Sequence, residues 1–208
     1  MSEHDTVERL CEEQGMEAPP GWVDYVRVAK QWGARTDLTS ARTDQELAEI
    51  LFLDAAQLVA AHWPSSGSSL LDVGAGVGAP SLPILAAGSS MRGVLVEPRR
   101  IRTAFLRTAI GSLGLGDRAT VLETRVDPAS PDVVGAPFDV ALSRATFAPG
   151  EWRRMGVQLA DEVWVLTAGG SLDEDAELAL VRRLDYVVPS SGAPRAAIAY
   201  RRRRAGMI

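Results

Sequence analysis

Asp72-Val-Gly74-Ala-Gly76-Val-Gly78 is the stretch of this chain best suited to hold a ligand. Three glycines within five residues permit positive φ and let the backbone approach a bound group with no Cβ in the way. Leu70-Leu71 before the turn and Ala79-Pro80 after it read as a strand that passes through a loop into a helix, with proline preorganised at the helix start. Glu97 ends the next apolar run, Gly93-Val-Leu-Val96, 23 residues beyond Gly74. A carboxylate there accepts hydrogen bonds from both hydroxyls of a ribose, so turn and acid together point to an adenosine-containing ligand. Asp127, after the third apolar run, is a candidate neighbour of the adenine, with a plain loop aspartate as the alternative. Other chemistries fail on residue count. Cys11 alone forms no internal disulfide or cysteine-rich site, and His4 and His62 cannot supply a usual zinc set, so no metal is expected. His4 sits in the N-terminal stretch and His62 just after a helix, so neither is placed as a general base.

A ligand turn of this kind needs a sheet edge to hold it. Predicted strands are Leu70 to Val73, Gly93 to Glu97, Ala119 to Val126, Phe138 to Ser143, Glu162 to Leu166, Tyr186 to Val188 and Ala196 to Tyr200. Between them lie predicted helices at Ser81 to Ala87, Arg99 to Leu113, Gly150 to Ala160 and Asp173 to Leu184. Such alternation means an α/β fold, a largely parallel sheet with helices on both faces. Two short helices, Glu3 to Gln14 and Trp22 to Trp32, flank Ala18-Pro-Pro-Gly21, and a third follows the capping-box spacing of Thr43 and Glu46 and runs to about Ala61. The expected organisation is an N-terminal helical extension over 1–62 and one compact ligand-binding domain over 63–208.

Composition narrows the class. At 208 residues, 46% hydrophobic and 24% charged, the chain is an ordinary single-core globular protein. No run reaches the roughly 18 apolar residues of a membrane span, and Met1 to Glu13 is acidic where a signal peptide is basic and then apolar, so a cytoplasmic protein is expected. Net charge is −5, and residues 1–60 hold 12 acidic against 5 basic side chains, which argues against simple coating of nucleic acid. Basic clusters remain at Arg99, Arg100, Arg102 and Arg107 and at Arg201 to Arg204, the latter read as strand end or mobile tail. The five spaced tryptophans read as core.

Several landmarks together resemble a known family. The alternating G-x-G-x-G with Asp72 two residues ahead is a spacing used by S-adenosylmethionine methyltransferases of the Rossmann-like class, although Gly74-x-Gly76-x-x-Ala79 also matches a nicotinamide-dinucleotide turn read permissively. Trp32 with Asp37-Leu-Thr-Ser40, Phe52-Leu-Asp54-Ala55, Asp72 through Pro80-Ser-Leu-Pro83, Arg102-x-x-Phe105-Leu-Arg107, Arg125-Val126-Asp127 and Ser143-Arg144-Ala145 then resemble the bacterial 16S rRNA guanine-N7 methyltransferase family, the glucose-inhibited division protein B type. The correspondence spans about residues 22–170. Departures occur where the family has histidine (Leu51), asparagine (Asp37), glycine (Ser81) and lysine (Thr167).

The resemblance implies a class I S-adenosylmethionine-dependent methyltransferase fold with a mostly parallel seven-stranded sheet, transferring methyl to guanine N7 of small-subunit rRNA. It assigns the cofactor to Asp72, Gly74, Gly76, Gly78, Pro80, Glu97, Arg125, Val126 and Asp127. Arg144 takes the catalytic place, holding the target nucleotide, with Arg195 and Arg102 as further substrate contacts. The partner is the 16S rRNA or the small ribosomal subunit, with no membrane and no metal, and a monomer is expected. Leu51, Thr167 and the net charge favour alternatives: a methyltransferase for a small molecule or protein, or a cofactor-binding accessory protein without turnover. A nicotinamide-linked oxidoreductase would make the landmarks coincidence.

Overall fold

The protein is described here by a computed structural model that covers residues 3–63, 67–88, 90–127, 129–170 and 172–203. Seven strands form one sheet: β1 (Ser69–Val73), β2 (Arg92–Val96), β3 (Ala119–Leu122), β4 (Phe138–Arg144), β5 (Ala160–Thr167), β6 (Leu178–Val187) and β7 (Pro194–Arg202). Their order is β3-β2-β1-β4-β5-β7-β6, with β7 antiparallel to both of its neighbours. β1 is buried at four of its five positions because it is central and covered on both faces, which is why its sequence shows no alternation. From β1 the chain winds outward to β2 and β3, then returns to β4 on the other side. That reversal opens a crevice beyond the carboxyl ends of β1 and β4, the place where open α/β sheets bind ligands.

The described residues form six α-helices around the sheet, the first two packed on other helices: α1 (Glu3–Glu13), α2 (Trp22–Gly33), α3 (Asp44–Ala60), α4 (Ser81–Ala87), α5 (Arg100–Ser112) and α6 (Pro149–Gly156). The capping box at Thr43 and Glu46 forms as its spacing requires, and Thr43 accepts from the Glu46 N–H. The first three helices share a continuous apolar core with the sheet and with α4 and α5. Trp22 stacks on Phe52 at 4.6 Å between ring centres, and its indole N–H donates to the Pro83 carbonyl at the front of α4. A second cluster, with Leu71, Val73, Trp152, Val163 and Ile198, fills the opposite face under α6. Four of the five tryptophans are buried, and the half-buried Trp32 packs edge-on against Phe105.

Three expectations need correction. The predicted helix over 173–184 is instead largely strand β6, which pairs with β7 from Leu178↔Arg202 to Val187↔Pro194. An open edge on β7 offers backbone partners that outweigh the helix preference of Glu-Leu-Ala-Leu, which is how tertiary context overrides propensity. The third strand ends at Leu122, not Val126, because the Leu122 carbonyl takes the Glu97 N–H and β2 offers no partner beyond it. The helix over 150–160 stops at Gly156, since Ala160 onward pairs with β4.

The terminal arginines belong to this edge. Arg201 ion-pairs with Glu162 at 2.9 Å, and the Arg203 Nε–H donates to the Leu178 carbonyl, so neither acts as a mobile tail; Arg204 lies outside the described residues. Among the described residues no helix is long and apolar enough to cross a membrane, and no group of three His, Cys, Asp or Glu side chains could hold a metal.

Candidate functional site

The turn after β1 is held by backbone. Gly74 and Ala75 both donate to the Val96 carbonyl, at 2.8 and 3.0 Å, which locks the loop against the end of β2. All three glycines have positive φ, but their surroundings differ. A Cβ on Gly78 would lie 2.6 Å from Leu82 and 2.8 Å from Leu106, so this glycine lets α4 and α5 close on the turn. A Cβ on Gly74 would overlap Thr146. Only at Gly76 is the space open, with Arg102 Nη1 3.7 Å and the Gly74 carbonyl 3.8 Å from that point. Arg102 thus stands over the turn.

Two buried acids back the loop. Glu97 accepts from Gly76 N–H at 3.0 Å on one oxygen and from Arg99 N–H at 2.9 Å on the other. Each carboxylate oxygen keeps further acceptor capacity, enough for a ribose hydroxyl. Asp72 sits behind the turn and accepts from the Ser81 hydroxyl at 2.6 Å. Burial pushes its carboxyl up to about 7, a rise that the Ser81 bond and Arg144 oppose and Glu97 reinforces. Pro80, after a cis bond, caps α4. The Tyr25 hydroxyl of α2 donates to the Val77 carbonyl and braces the turn from the N-terminal helices. Arg125 and Asp127 lie exposed in the loop after β3, Val126 packs under the second core cluster, and Asp127 accepts from the Ala129 N–H. Open backbone at Gly76 beside the Glu97 carboxylate, at the sheet's carboxyl edge, fits an adenosine cofactor.

Beside the turn lies a cavity of about 680 Å³. Its walls come from the chain before and along α3, from the ends of β4 and β5, and from the β6–β7 turn. Arg144 enters from the end of β4. Its Nη1 donates to the Ile50 carbonyl and to Asp54 Oδ2, each at 2.8 Å, while Nε and Nη2 have no partner among the described residues. The preceding Ser143 hydroxyl ties β4 to the Val73 carbonyl at 2.7 Å, and Thr146 reaches the Gly74 carbonyl at 3.3 Å. Ala145 between them has φ of 55°, an uncommon conformation for a residue with a Cβ, and it lets neighbouring side chains serve turn and cavity.

The cavity's acids are all engaged. Glu46 accepts from the Arg42 and Thr43 N–H groups, Glu49 from Ser190 and Gln45, and Asp54 from Arg144 and the Tyr186 hydroxyl. The Arg42 and Arg195 guanidinium groups, by contrast, have no ion pair or hydrogen bond among the described residues. Structure thus gathers Arg144 and Arg195 in one cavity, and leaves Arg102 on the turn side. Arg42, Asp54, Tyr186 and Ser81 were not singled out in the sequence as site residues. The one visible signal was Asp54, an acid inside the apolar run Leu51-Phe52-Leu53-Asp54-Ala55-Ala56. Thr167 lines the cavity, whereas Leu51 is buried in the core and does not.

Residues 21–174 match the family described as GidB, rRNA small subunit methyltransferase G. The chain belongs to that family. The methyltransferase G of Clostridium beijerinckii is 28% identical over 149 residues, 70% of this chain and 62% of that relative. The Myxococcus xanthus methyltransferase G is 31% identical over 177 residues, 79% of each chain. Against the first of these the chain spans about three fifths of the relative's length. Among solved structures, an O-methyltransferase from Bacillus cereus in complex with SAH shares the fold at a TM-score of 0.59 and 15% identity, covering 86% of this chain and 91% of that one. The family resemblance and the class I methyltransferase fold expected from the sequence therefore both stand, with the seven strands in the expected mostly parallel sheet.

Proposed function

We propose that this methyltransferase G family member transfers the methyl group of S-adenosylmethionine to N7 of a guanine in 16S rRNA of the small ribosomal subunit, acting as a cytoplasmic monomer. The observation that carries the reading is Arg144. It stands at the cofactor edge of the sheet, with one nitrogen anchored and its Nε and Nη2 left for a ligand, two residues from the threonine that touches the glycine turn.

The sulfonium cofactor supplies an already activated methyl carbon, so the protein's main task is to align donor and acceptor in a dry pocket. Guanine N7 attacks with a lone pair and loses no proton, which suits a site with no histidine nearby. A donor on N7 would occupy that lone pair, so Arg144 serves the neighbouring O6 or a phosphate instead. The methylated base carries a positive charge. Asp54 pairs with Arg144 and offsets the charge of that guanidinium, which lessens its repulsion of the developing cation. Arg42 and Arg195, both lining the cavity and without an ion pair among the described residues, suit the phosphates flanking the target nucleotide. Glu97 holds the ribose and Asp72 stiffens the turn from behind.

Labelled methyl incorporation into 30S particles and free 16S rRNA from a strain lacking the modification tests the reading. Transfer to guanine N7 is expected in at least one. If neither accepts methyl while the cofactor product binds, a small-molecule or protein acceptor, or a cofactor-binding role without turnover, replaces it.

A further inference from the structure

We infer that Tyr186 and Asp54 form a positioning pair that aims the Arg144 guanidinium into the cavity. The activity part of this inference rests on the function proposed above; the geometric part does not.

Arg144 alone is a poor aiming device, because arginine has several freely rotating bonds and loses much of that freedom when it is fixed. Here the freedom is removed at one nitrogen. Nη1 has two protons, and the Ile50 carbonyl and Asp54 Oδ2 take one each. What remains is the Nε–Nη2 edge, the fork by which arginine grips a planar acceptor or a phosphate with two parallel bonds.

Asp54 must itself be fixed for this to work. Its side chain is 8% exposed on α3, and the terminal torsion of an aspartate is broad, so a carboxylate held at one oxygen can swing. Tyr186 supplies the second anchor. From the far end of β6, 132 residues away in sequence, its hydroxyl donates to Asp54 Oδ1 at 2.6 Å. Burial and the Asp54 charge push the Tyr186 hydroxyl far above its ordinary pKa, so it remains a donor throughout the working range of pH. Its strand neighbour across the ladder is Arg195, which makes the β6–β7 hairpin responsible for two cavity arginines, one directly and one through Asp54. The pair is a device for orientation: neither Tyr186 nor Asp54 needs to touch the acceptor.

Tyr186→Phe keeps the ring and removes only the donor. Three readouts are taken on the whole protein. In nitrogen-15 spectra of the arginine side chains, with Arg144 assigned by its loss in Arg144→Lys, rotation of the guanidinium about Nε–Cζ should speed up about tenfold, matching the loss of one charged hydrogen bond in the chain that fixes it. Methyl transfer to 30S particles should fall about 5- to 30-fold in kcat, on the same grounds, with KM for the particle and affinity for S-adenosylhomocysteine changed less than about twofold. The double variant Tyr186→Phe/Arg144→Ala should be no slower than Arg144→Ala alone, since the tyrosine acts through the arginine.

Unchanged Arg144 rotation in Tyr186→Phe overturns the inference, and so do losses that multiply in the double variant. If the wild-type protein methylates no RNA, the acceptor reading fails by itself, and the spectra still decide the positioning pair. Should Tyr186→Phe not stay folded, Asp54→Asn gives the same spectral test, with faster rotation expected and unchanged rotation overturning the inference.

Discussion

The glycine turn is made from seven consecutive residues and one acid just past the end of the adjacent strand, whereas the cavity beside it joins four segments that are hydrogen-bonded to one another across as many as 141 positions in sequence. In the turn, backbone N–H groups and positive φ angles do the work, and side chains stand behind or stay out of the way. In the cavity, side chains present the chemistry: three acids are each fixed by donors, some of them backbone N–H groups, and the arginines are either anchored or left unpaired. A backbone-built subsite suits a cofactor of constant shape. A side-chain-built subsite can change its acceptor by a few substitutions while the cofactor half stays the same. Ser81 and Thr167 illustrate the contrast, since the first only adds a hydrogen bond behind the turn, while the second alters the lining of the cavity.

If the two regions are separable in this way, Arg144→Ala should give the largest effect, a loss of about 10²- to 10³-fold in methyl transfer with S-adenosylhomocysteine binding nearly intact. Calorimetric titration beside the transfer assay checks this, and equal losses in both would break the separation. Asp72 offers a sharper probe of the turn. Its folded carboxyl titrates at about 7, above the 3.8 of the free side chain, so the folded state binds the proton more tightly. Stability should therefore fall as pH rises through that window, by about 1 kcal/mol per pH unit, and level off above it. Melting curves from pH 4 to 8 should show this slope in the wild type and lose it in Asp72→Asn.

Glu97→Ala should weaken cofactor binding by about 1 to 3 kcal/mol through lost charged hydrogen bonds, read by the same titration. Loss of RNA binding without loss of cofactor binding would place Glu97 in the wrong region. The smallest change belongs to the cavity wall. Ser190→Ala removes one of the bonds to Glu49 from an exposed residue and should lower stability by less than about 1 kcal/mol, with a modest rise in KM for the RNA as the hairpin loosens. A change in cofactor affinity there would show that the hairpin also serves the turn.

Much of the fold was legible because buried parallel strands announce themselves as apolar runs, and Thr43 with Glu46 marked a helix start by chemistry alone. The region after Asp173 was not legible. Its spacing of leucine, alanine and arginine suits a helix, and only the vacant edge of β7 makes it a strand. At the site the turn and Glu97 could be read because they lie in order along the chain. Arg144 and Arg195 were reachable through the pattern of a family, but nothing local tied them together. Tyr186 carried no signal, because its partner Asp54 is on another element and its neighbours are ordinary strand residues. Arg42 looked like any exposed loop arginine.

The amino-acid order by itself determined the strand–turn–helix that offers bare backbone, because φ preferences and hydrogen-bond donors are properties of adjacent residues. It also determined which runs had to be buried. Tertiary structure alone decided which charges are spent on one another and which remain open. Asp54 neutralises Arg144 while Arg195 stays unpaired, and that outcome depends on distances between elements that only packing of the helices and the hairpin against the sheet can set.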